Sequence, residues 1–454
     1  MLILLGAFPL WFAAGCSKSE SPAPYVGGGQ PGTEGGLPIC TPHVSAACFG
    51  GNVMWVDSCG NPESIYAECG DNEYCEGMLC VAYSWSVEFG GDYDDWAYGI
   101  ELPEDGGYTI AGYTRTEASG WDDAFVIKLN VNGVEEWRKT YGGSMYDRAQ
   151  DITLTSDGGY VLAGGTWSYG AGGSDGYVIK IDAAGNEEWS KYYGGSAEDW
   201  FSEIEQTPDG GYIMIGYSRS YATQWHNYDS WVVRIDAAGN EIWNKSLGLD
   251  FYWDWGYSVE PAEDGGFVFL NYGEGYDIGG VDAWLFKLDA NGDLVWEQLY
   301  GGIFDDWMRG HKKLDDGYIL GGYSWDEYMG DSDAWMLKTD LEGEMLWQAR
   351  FGSEADEQIY DIDVAPDGGF VMAGYVEDQG AMNTDVYVVK TDSNGTLEWE
   401  SRVGGAGNDK AYAVRATAEG YIVAGYTSEY DSDSTDLLVL KLDLNGNCKH
   451  HFDD

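Results

Sequence analysis

Basic residues are scarce in this 454-residue chain: 23 Lys and Arg stand against 78 Asp and Glu, a formal net charge of −55. The cationic footprint that nucleic acid or anionic lipid heads require is missing, which excludes both as electrostatic partners. Proline is sparse, at 11 residues, and 67 Gly occur without a collagen period, so neither a low-complexity coil nor a collagen helix fits. No stretch keeps a sustained helical period. Catalytic signatures are missing as well: there is no Gly-x-Ser-x-Gly elbow and no His-Glu-x-x-His helix. His226 and His311 lie in different units, with nothing to pair them. What is abundant is aromatic, with 21 Trp and 34 Tyr in a 44% hydrophobic chain. That many rings build a core, so the acidity does not imply disorder.

Residues Met1 to Ala14 are almost wholly apolar and lead into Ala13-Ala14-Gly15-Cys16. A run this short ending in small residues reads as a signal peptide (1–15) rather than a permanent membrane span. It lacks the basic residues that open such signals, so the natural start is expected upstream. The Ala-Ala-Gly-Cys ending resembles the bacterial lipobox. That resemblance implies lipidation of Cys16 and, with Ser17 behind it, an address at the outer membrane or cell surface. Residues 16–36 then form a flexible Gly/Pro/Ser tether, with a reach of roughly 25 Å.

Six of the eight cysteines fall within residues 37–82: Cys40, Cys48, Cys59, Cys69, Cys75 and Cys80. In an exported chain an even, crowded set reads as a disulfide framework, here of three bridges whose pairing is left open. A zinc site is the competing reading, but there is no Cys-x2-Cys pair and His43 is the only nearby imidazole. The segment Val53 to Gly60 resembles small Cys-rich modules of other secreted bacterial proteins. Cys448 stands apart, and whether it pairs is open.

From residue 83 to 448 the chain repeats. Trp85, Trp137, Trp189, Trp243, Trp296, Trp347 and Trp399 are spaced by 51 to 54 residues, and each is followed five positions later by Gly. In the second unit Ala149–Leu154 reads as an inner strand, Ser156-Asp157-Gly158-Gly159 as a hairpin turn, and 160–164, 177–182 and 188–192 as three further strands. Seven units of four strands cannot each bury two faces alone, so the expected fold is all-β: a closed seven-bladed β-propeller. The eighth Trp position falls on His450, in the 449–454 tail. Trp85 to Phe89 is therefore expected to complete the seventh blade, joining both ends of the repeat and removing an exposed edge.

The run Asp182-Ala183-Ala184-Gly185-Asn186-Glu187-Glu188-Trp189 resembles the tryptophan-docking repeat of quinoprotein-like propellers, in which the indole packs on the neighbouring blade. By that resemblance the seven Trp are structural, as are the cations at 128, 180, 234, 287, 338, 390 and 441. Quinone-dependent members carry eight blades and a vicinal Cys pair. Here there are seven units and no Cys between 81 and 447, so no quinone cofactor is implied. The chain also looks like the lipid-anchored propeller of the outer-membrane β-barrel assembly machine, which implies a scaffolding role. The Cys-rich module and the seventh-blade closure depart from it.

Function is expected on one face. The Asp-Gly-Gly and Asp-x-x-Gly turns are short and alike in every unit, whereas connections at the opposite strand ends are long and variable, where binding residues concentrate. They carry Trp96, Trp121, Trp167, Trp200, Trp225, Trp253, Trp255, Trp307 and Trp325, often beside carboxylates. Such a face suits stacking on sugars, or gripping a protein or cationic partner. Against it stands the reading that these rings pack between blades while the acids solubilise the surface. The expected function is a non-enzymatic, monomeric binding or scaffold protein for a glycan or protein ligand. The alternative is a polysaccharide-active hydrolase using a carboxylate pair. No cofactor is expected; calcium is a candidate at Asp431-Ser432-Asp433-Ser434-Thr435-Asp436, which lacks the Gly and distal Glu of the twelve-residue loop.

Overall fold

The computed structural model describes the backbone of residues 45–49, 52–56, 62–67, 73–76 and 79–82. It describes residues 84–448 apart from 116–120, 223–226, 249–252, 275–279, 327–329, 379–382, 430–431 and 433. The signal, lipobox, tether and tail, and the side chains of the six clustered cysteines, lie outside the described residues.

Two compact units are present, divided between Tyr83 and Ser84. In the first, Ser45–Phe49, Asn52–Val56 and Pro62–Ala67 form a three-stranded antiparallel sheet, and Glu73–Glu76 pairs with Leu79–Ala82. The second unit, Ser84–Cys448, is seven four-stranded antiparallel sheets. Blade 2 is typical: Asp147–Leu154, Tyr160–Thr166, Asp175–Ile181 and Glu187–Tyr193 pair in that order from axis to rim. The innermost strands touch one another in an unbroken cycle from blade 1 through blade 7 and back to blade 1. The chain is thus a closed seven-bladed β-propeller.

Closure follows the expected route. Trp85–Phe89 is the outer strand of the blade whose other strands are Lys410–Thr417, Gly420–Thr427 and Asp436–Leu442. Within each blade the middle strands are mostly buried, and Tyr160–Thr166 and Asp175–Ile181 are buried throughout, because a neighbouring sheet covers each face. The core is accordingly spread over the blade interfaces. One cluster joins Ala111, Ala124 and Val126 of blade 1 to Ile152, Leu162 and Ile179 of blade 2, all at most 1% exposed.

At the short-turn end the recurring residues meet one another. The repeated cation and Trp are cross-strand partners in every blade: Lys128–Trp137, Lys180–Trp189, Arg234–Trp243, Lys287–Trp296, Lys338–Trp347, Lys390–Trp399 and Lys441–Trp85. Six of these cations bond the Asp of the preceding hairpin turn, as in Lys128–Asp105 at 2.6 Å and Lys390–Asp367 at 2.9 Å. Each indole reaches the Asp-x-x-Gly turn of the next blade. A Cβ on Gly133, Gly185, Gly239, Gly292, Gly343, Gly395 or Gly446 would lie within 2.6–3.2 Å of it. Those glycines also hold φ near +80°, so turn and docking surface demand Gly together.

Candidate functional site in the central channel

All long connections emerge at the opposite end, where the inner strands begin. Every inner strand carries a β-bulge at its centre, at Tyr98, Gln150, Ser202, Tyr257, Arg309, Tyr360 and Tyr412. A bulge re-aims a side chain, and these seven turn toward the propeller axis. Ring centroids of Tyr98 and Tyr412 are 5.0 Å apart, and those of Tyr360 and Tyr412 4.9 Å. The Arg309 guanidinium lies 4.3 Å from the Tyr257 ring and 5.2 Å from that of Tyr360. Five blades thus fill an arc of the channel, while blades 2 and 3 place Gln150 and Ser202 at the equivalent positions.

Two residues before each bulge, at the channel mouth, stand Trp96, Arg148, Trp200, Trp255, Trp307, Gln358 and Lys410. Several pack on the residue just before the end of the preceding blade's second strand. Trp96 stacks on Tyr426 at 4.4 Å, Trp255 on Tyr217 at 5.0 Å, and Trp307 meets Tyr272 at 4.2 Å. Arg148 sits 4.2 Å over Tyr113 and Lys410 3.7 Å over Tyr375. Trp200 covers Gly165, where a Cβ would meet its ring at 2.0 Å. These four Trp offer mainly edges to the mouth, since their faces are occupied.

Mouth and bulge tiers together hold eight aromatics, three cations and no carboxylate among fourteen positions. Arg148 is joined from the side by the buried Asp122, its Nε donating at 2.8 Å. Among the described residues neither Arg309 nor Lys410 has a carboxylate within ion-pair distance. The Arg309 Nε is buried without a hydrogen-bond partner; burial works against its charge, and the surrounding Tyr257, Tyr323 and Tyr360 work for it.

Three residues beyond the bulges the character reverses. Glu101, Thr153, Glu205, Glu260, Lys312, Asp363 and Arg415 form the floor, with Asp151, Glu203 and Asp361 beside them. Some of these acids clip blades together: Asp151 Oδ2 accepts from Ile204 N at 3.0 Å, and Asp361 Oδ2 from Val414 N at 2.9 Å and Arg415 at 2.7 Å. Burial pushes Asp151 up to about 7 and Glu203 up to about 8, and raises Glu101 and Glu205. Burial also drives the His311 imidazole down to about 3; neutral, its Nδ1 lies 2.8 Å from Ser258 Oγ.

The nine tryptophans expected on this face divide into two groups. Trp96, Trp200, Trp255 and Trp307 stand at the mouth, whereas Trp121, Trp167, Trp253 and Trp325 are 39–48% exposed on the surrounding connections. Trp225 lies outside the described residues. The acids beside the mouth Trp do not face ligand or bulk water. Asp95, Asp199, Asp254 and Asp306 are at most 7% exposed, and Asp199 and Asp306 accept from the amides of Gly195 and Gly302, each at 2.7 Å. The face therefore offers aromatics and cations at its centre, where the sequence suggested aromatics and acids. The mouth cations escaped the sequence reading. Their signal is positional: Arg148 and Lys410 follow directly on the acid that opens the inner strand, and Arg309 stands three positions after it.

A second recurrence also escaped it. The Gly five residues after each docking Trp lies against acids from two blades. A Cβ on Gly194 would be 2.6 Å from Asp199 and 2.7 Å from Asp175, and one on Gly404 would be 2.3 Å from Asp385 and 2.8 Å from Asp409. One member opens the inner strand (Asp95, Asp147, Asp199, Asp254, Asp306, Glu357, Asp409). The other lies within the first three residues of the third strand (Asp123, Asp175, Asp229, Asp282, Asp333, Asp385, Asp436). Burial, then the facing acid, pushes Asp282 up to about 7 and Asp385 up to about 6.

These features define a seven-bladed β-propeller with an aromatic, cationic channel mouth. No family model matches the chain. A curated protein, the regulatory protein FlaEY of Caulobacter vibrioides, is 31% identical over 115 residues, which are 22% of this chain and 12% of that one; the match thus spans about an eighth of FlaEY. Among solved structures, the β-propeller domain of the Trilobed protease from Pyrococcus furiosus is similar with a TM-score of 0.44 at 10% identity. That match covers 80% of this chain and 99% of the other. A glucose dehydrogenase is similar with a TM-score of 0.40 at 11% identity, over 67% and 98% of the two chains. The acylaminoacyl peptidase of Pyrococcus horikoshii is similar at 0.41 and 12%, over 73% and 51%.

Proposed function

We propose that this is an exported, lipid-anchored, non-enzymatic binding protein that takes a short acidic glycan or sugar acid at the channel mouth. One observation carries the reading: in a chain of net charge −55, the fourteen upper channel positions hold three cations, eight aromatics and no acid. The exposed Trp121, Trp167, Trp253 and Trp325 on the surrounding connections offer ring surface to the apolar side of a sugar. A guanidinium lacking a carboxylate partner suits the sugar's acid group, which it holds through charge-assisted hydrogen bonds. The surrounding negative charge disfavours a long polyanion, while at physiological salt the roughly 8 Å screening length lets a short one reach Arg309 and Lys410. A hydrolase needs two carboxylates open to one substrate, and the upper tiers supply none. Export and anchoring rest on the lipobox-like Cys16.

Calorimetric titration with oligogalacturonate, and with neutral dextran oligomers of equal length, tests the reading. Acidic oligomers should bind, weaken with added salt, and lose at least tenfold in affinity in Arg309→Gln and Lys410→Gln. Equal binding of the neutral oligomers, or no binding of either, would overturn it.

A further inference from the structure

We propose that the inter-blade carboxylate pairs are calcium sites, with Asp282 and Asp306 as the most completely built of the seven. Asp282 is 1% exposed and Asp306 3%. Both carboxylate oxygens of Asp282 are buried without a hydrogen-bond partner, and Asp282 Oδ1 and Asp306 Oδ2 converge on Gly301, 2.1 and 3.1 Å from the point where its Cβ would stand. Asp306 is held in place by Gly302 N, which donates to that same Oδ2 at 2.7 Å, and by the Ser324 hydroxyl on Oδ1. Asp282 is thus an acceptor facing another acceptor, an arrangement relieved by a proton shared between the two acids or by a bound cation; Arg350 lines the same cleft and acts on Asp306. At the Gly352 junction Glu357 Oε2 is likewise buried without a partner, while its Oε1 accepts from Ser353 at 2.8 Å and pairs with Arg402 at 3.4 Å.

Oxygen-only donors select a hard cation rather than zinc or copper. Among the described residues no three acidic, His or Cys side chains converge, so backbone carbonyls, hydroxyls and water must complete each shell. Calcium accepts such an irregular set, whereas magnesium demands a near-octahedral one. A path exists: a cleft of about 470 Å³ opens at Gly301, Gly302, Asp306 and Ser324, and one of about 370 Å³ at the equivalent Gly90, Gly91 and Asp95. With two acids per site the affinity falls in the roughly 0.1–1 mM class of extracellular modules. The ions would tie each blade's third strand to the next blade's inner strand, independently of any ligand at the channel mouth.

The test uses the full chain, stripped with chelator and returned to metal-free buffer at 0.15 M KCl. Calcium at 2 mM should raise the thermal midpoint by roughly 5 °C or more, with magnesium giving clearly less. Terbium luminescence excited through nearby Trp should be displaced by calcium. Asp282→Asn keeps the shape of a side chain that makes no hydrogen bond; it should remove one calcium equivalent and shrink the shift. Glu136→Gln, an exposed acid on an outer strand, should change neither. If calcium and magnesium act alike, or if Glu136→Gln costs as much as Asp282→Asn, the effect is general screening and the proposal fails. An absent shift with no saturable terbium signal also overturns it.

Discussion

Trp85 and Lys441 are cross-strand partners in the seventh blade, although one comes from the first strand of the ring and the other from the last. The indole continues across the next junction, where Gly133 of blade 1 packs against its ring and its Nε1 donates to Val131 O at 3.3 Å. The strand that carries Trp85 is thus joined to the last strand of the ring by backbone pairing alone, and its indole locks that strand onto blade 1.

Trp85→Ala should cost about 3–5 kcal/mol, the usual penalty for emptying a buried aromatic site, and should open the ring. Trp243→Ala empties the equivalent site on an outer strand that follows the third strand of its own blade through a short covalent turn, so it should leave the ring closed. Urea unfolding followed by limited proteolysis separates the two: only the Trp85 variant should release blade 1 early. Identical profiles would mean that docking, not closure, sets the stability.

Protonation of the channel floor predicts the pH response. Asp151 and Glu203 titrate near 7 and 8 in the folded ring but near 4 once unfolded. Between those values the native state holds protons that the unfolded state releases, so stability falls as pH rises through the window. Lys312 and Arg415 face these acids and offset part of the effect, while Glu101 and Glu205, raised by the same burial, add to it. Thermal midpoints at fixed ionic strength should drop from pH 5 to pH 8, with a shallower slope in Glu203→Gln. A midpoint rising over that range contradicts a protonated floor.

Gly165 is the one position in its ring of equivalents where Trp200 takes the space that Tyr fills in the other six blades. Gly165→Ala would place a Cβ 2.0 Å from the indole, costing about 1–3 kcal/mol by overpacking. Chemical denaturation measures this, and Trp200→Ala should rescue the variant in a double-mutant cycle. Additive losses would show that the two sites do not touch.

Cys16→Ala should abolish labelling by radioactive palmitate and move the protein from the membrane pellet to the soluble extracytoplasmic fraction. Retention in the pellet would point to another anchor.

Much of this fold was legible because its signals are local and repeated. A strand period of two, Asp-Gly turns and a Trp every 51 to 54 residues recur in each unit, and repetition removes chance. The closure was legible from what was missing, since His450 stands where an eighth Trp would be. The site was legible only in part: the loop-bearing face and its tryptophans could be named, but the acids beside Trp200 and Trp307 turned inward. Whether Asp199 faces water or the Gly195 amide is set by the path of the loop before it. Nothing in the sequence around Arg309 reveals that a bulge aims it down the axis.

Sequence by itself determined the number of blades, the strand order within each and the residue that seals the ring, because hydrogen-bonding pattern and turn chemistry act over a few residues. Tertiary structure alone decided which charges meet. Arg309 among tyrosines, Glu203 across the channel from Lys312, and Asp282 facing Asp306 are neighbours only once seven sheets are wrapped about one axis, and burial there changes what each charge can do.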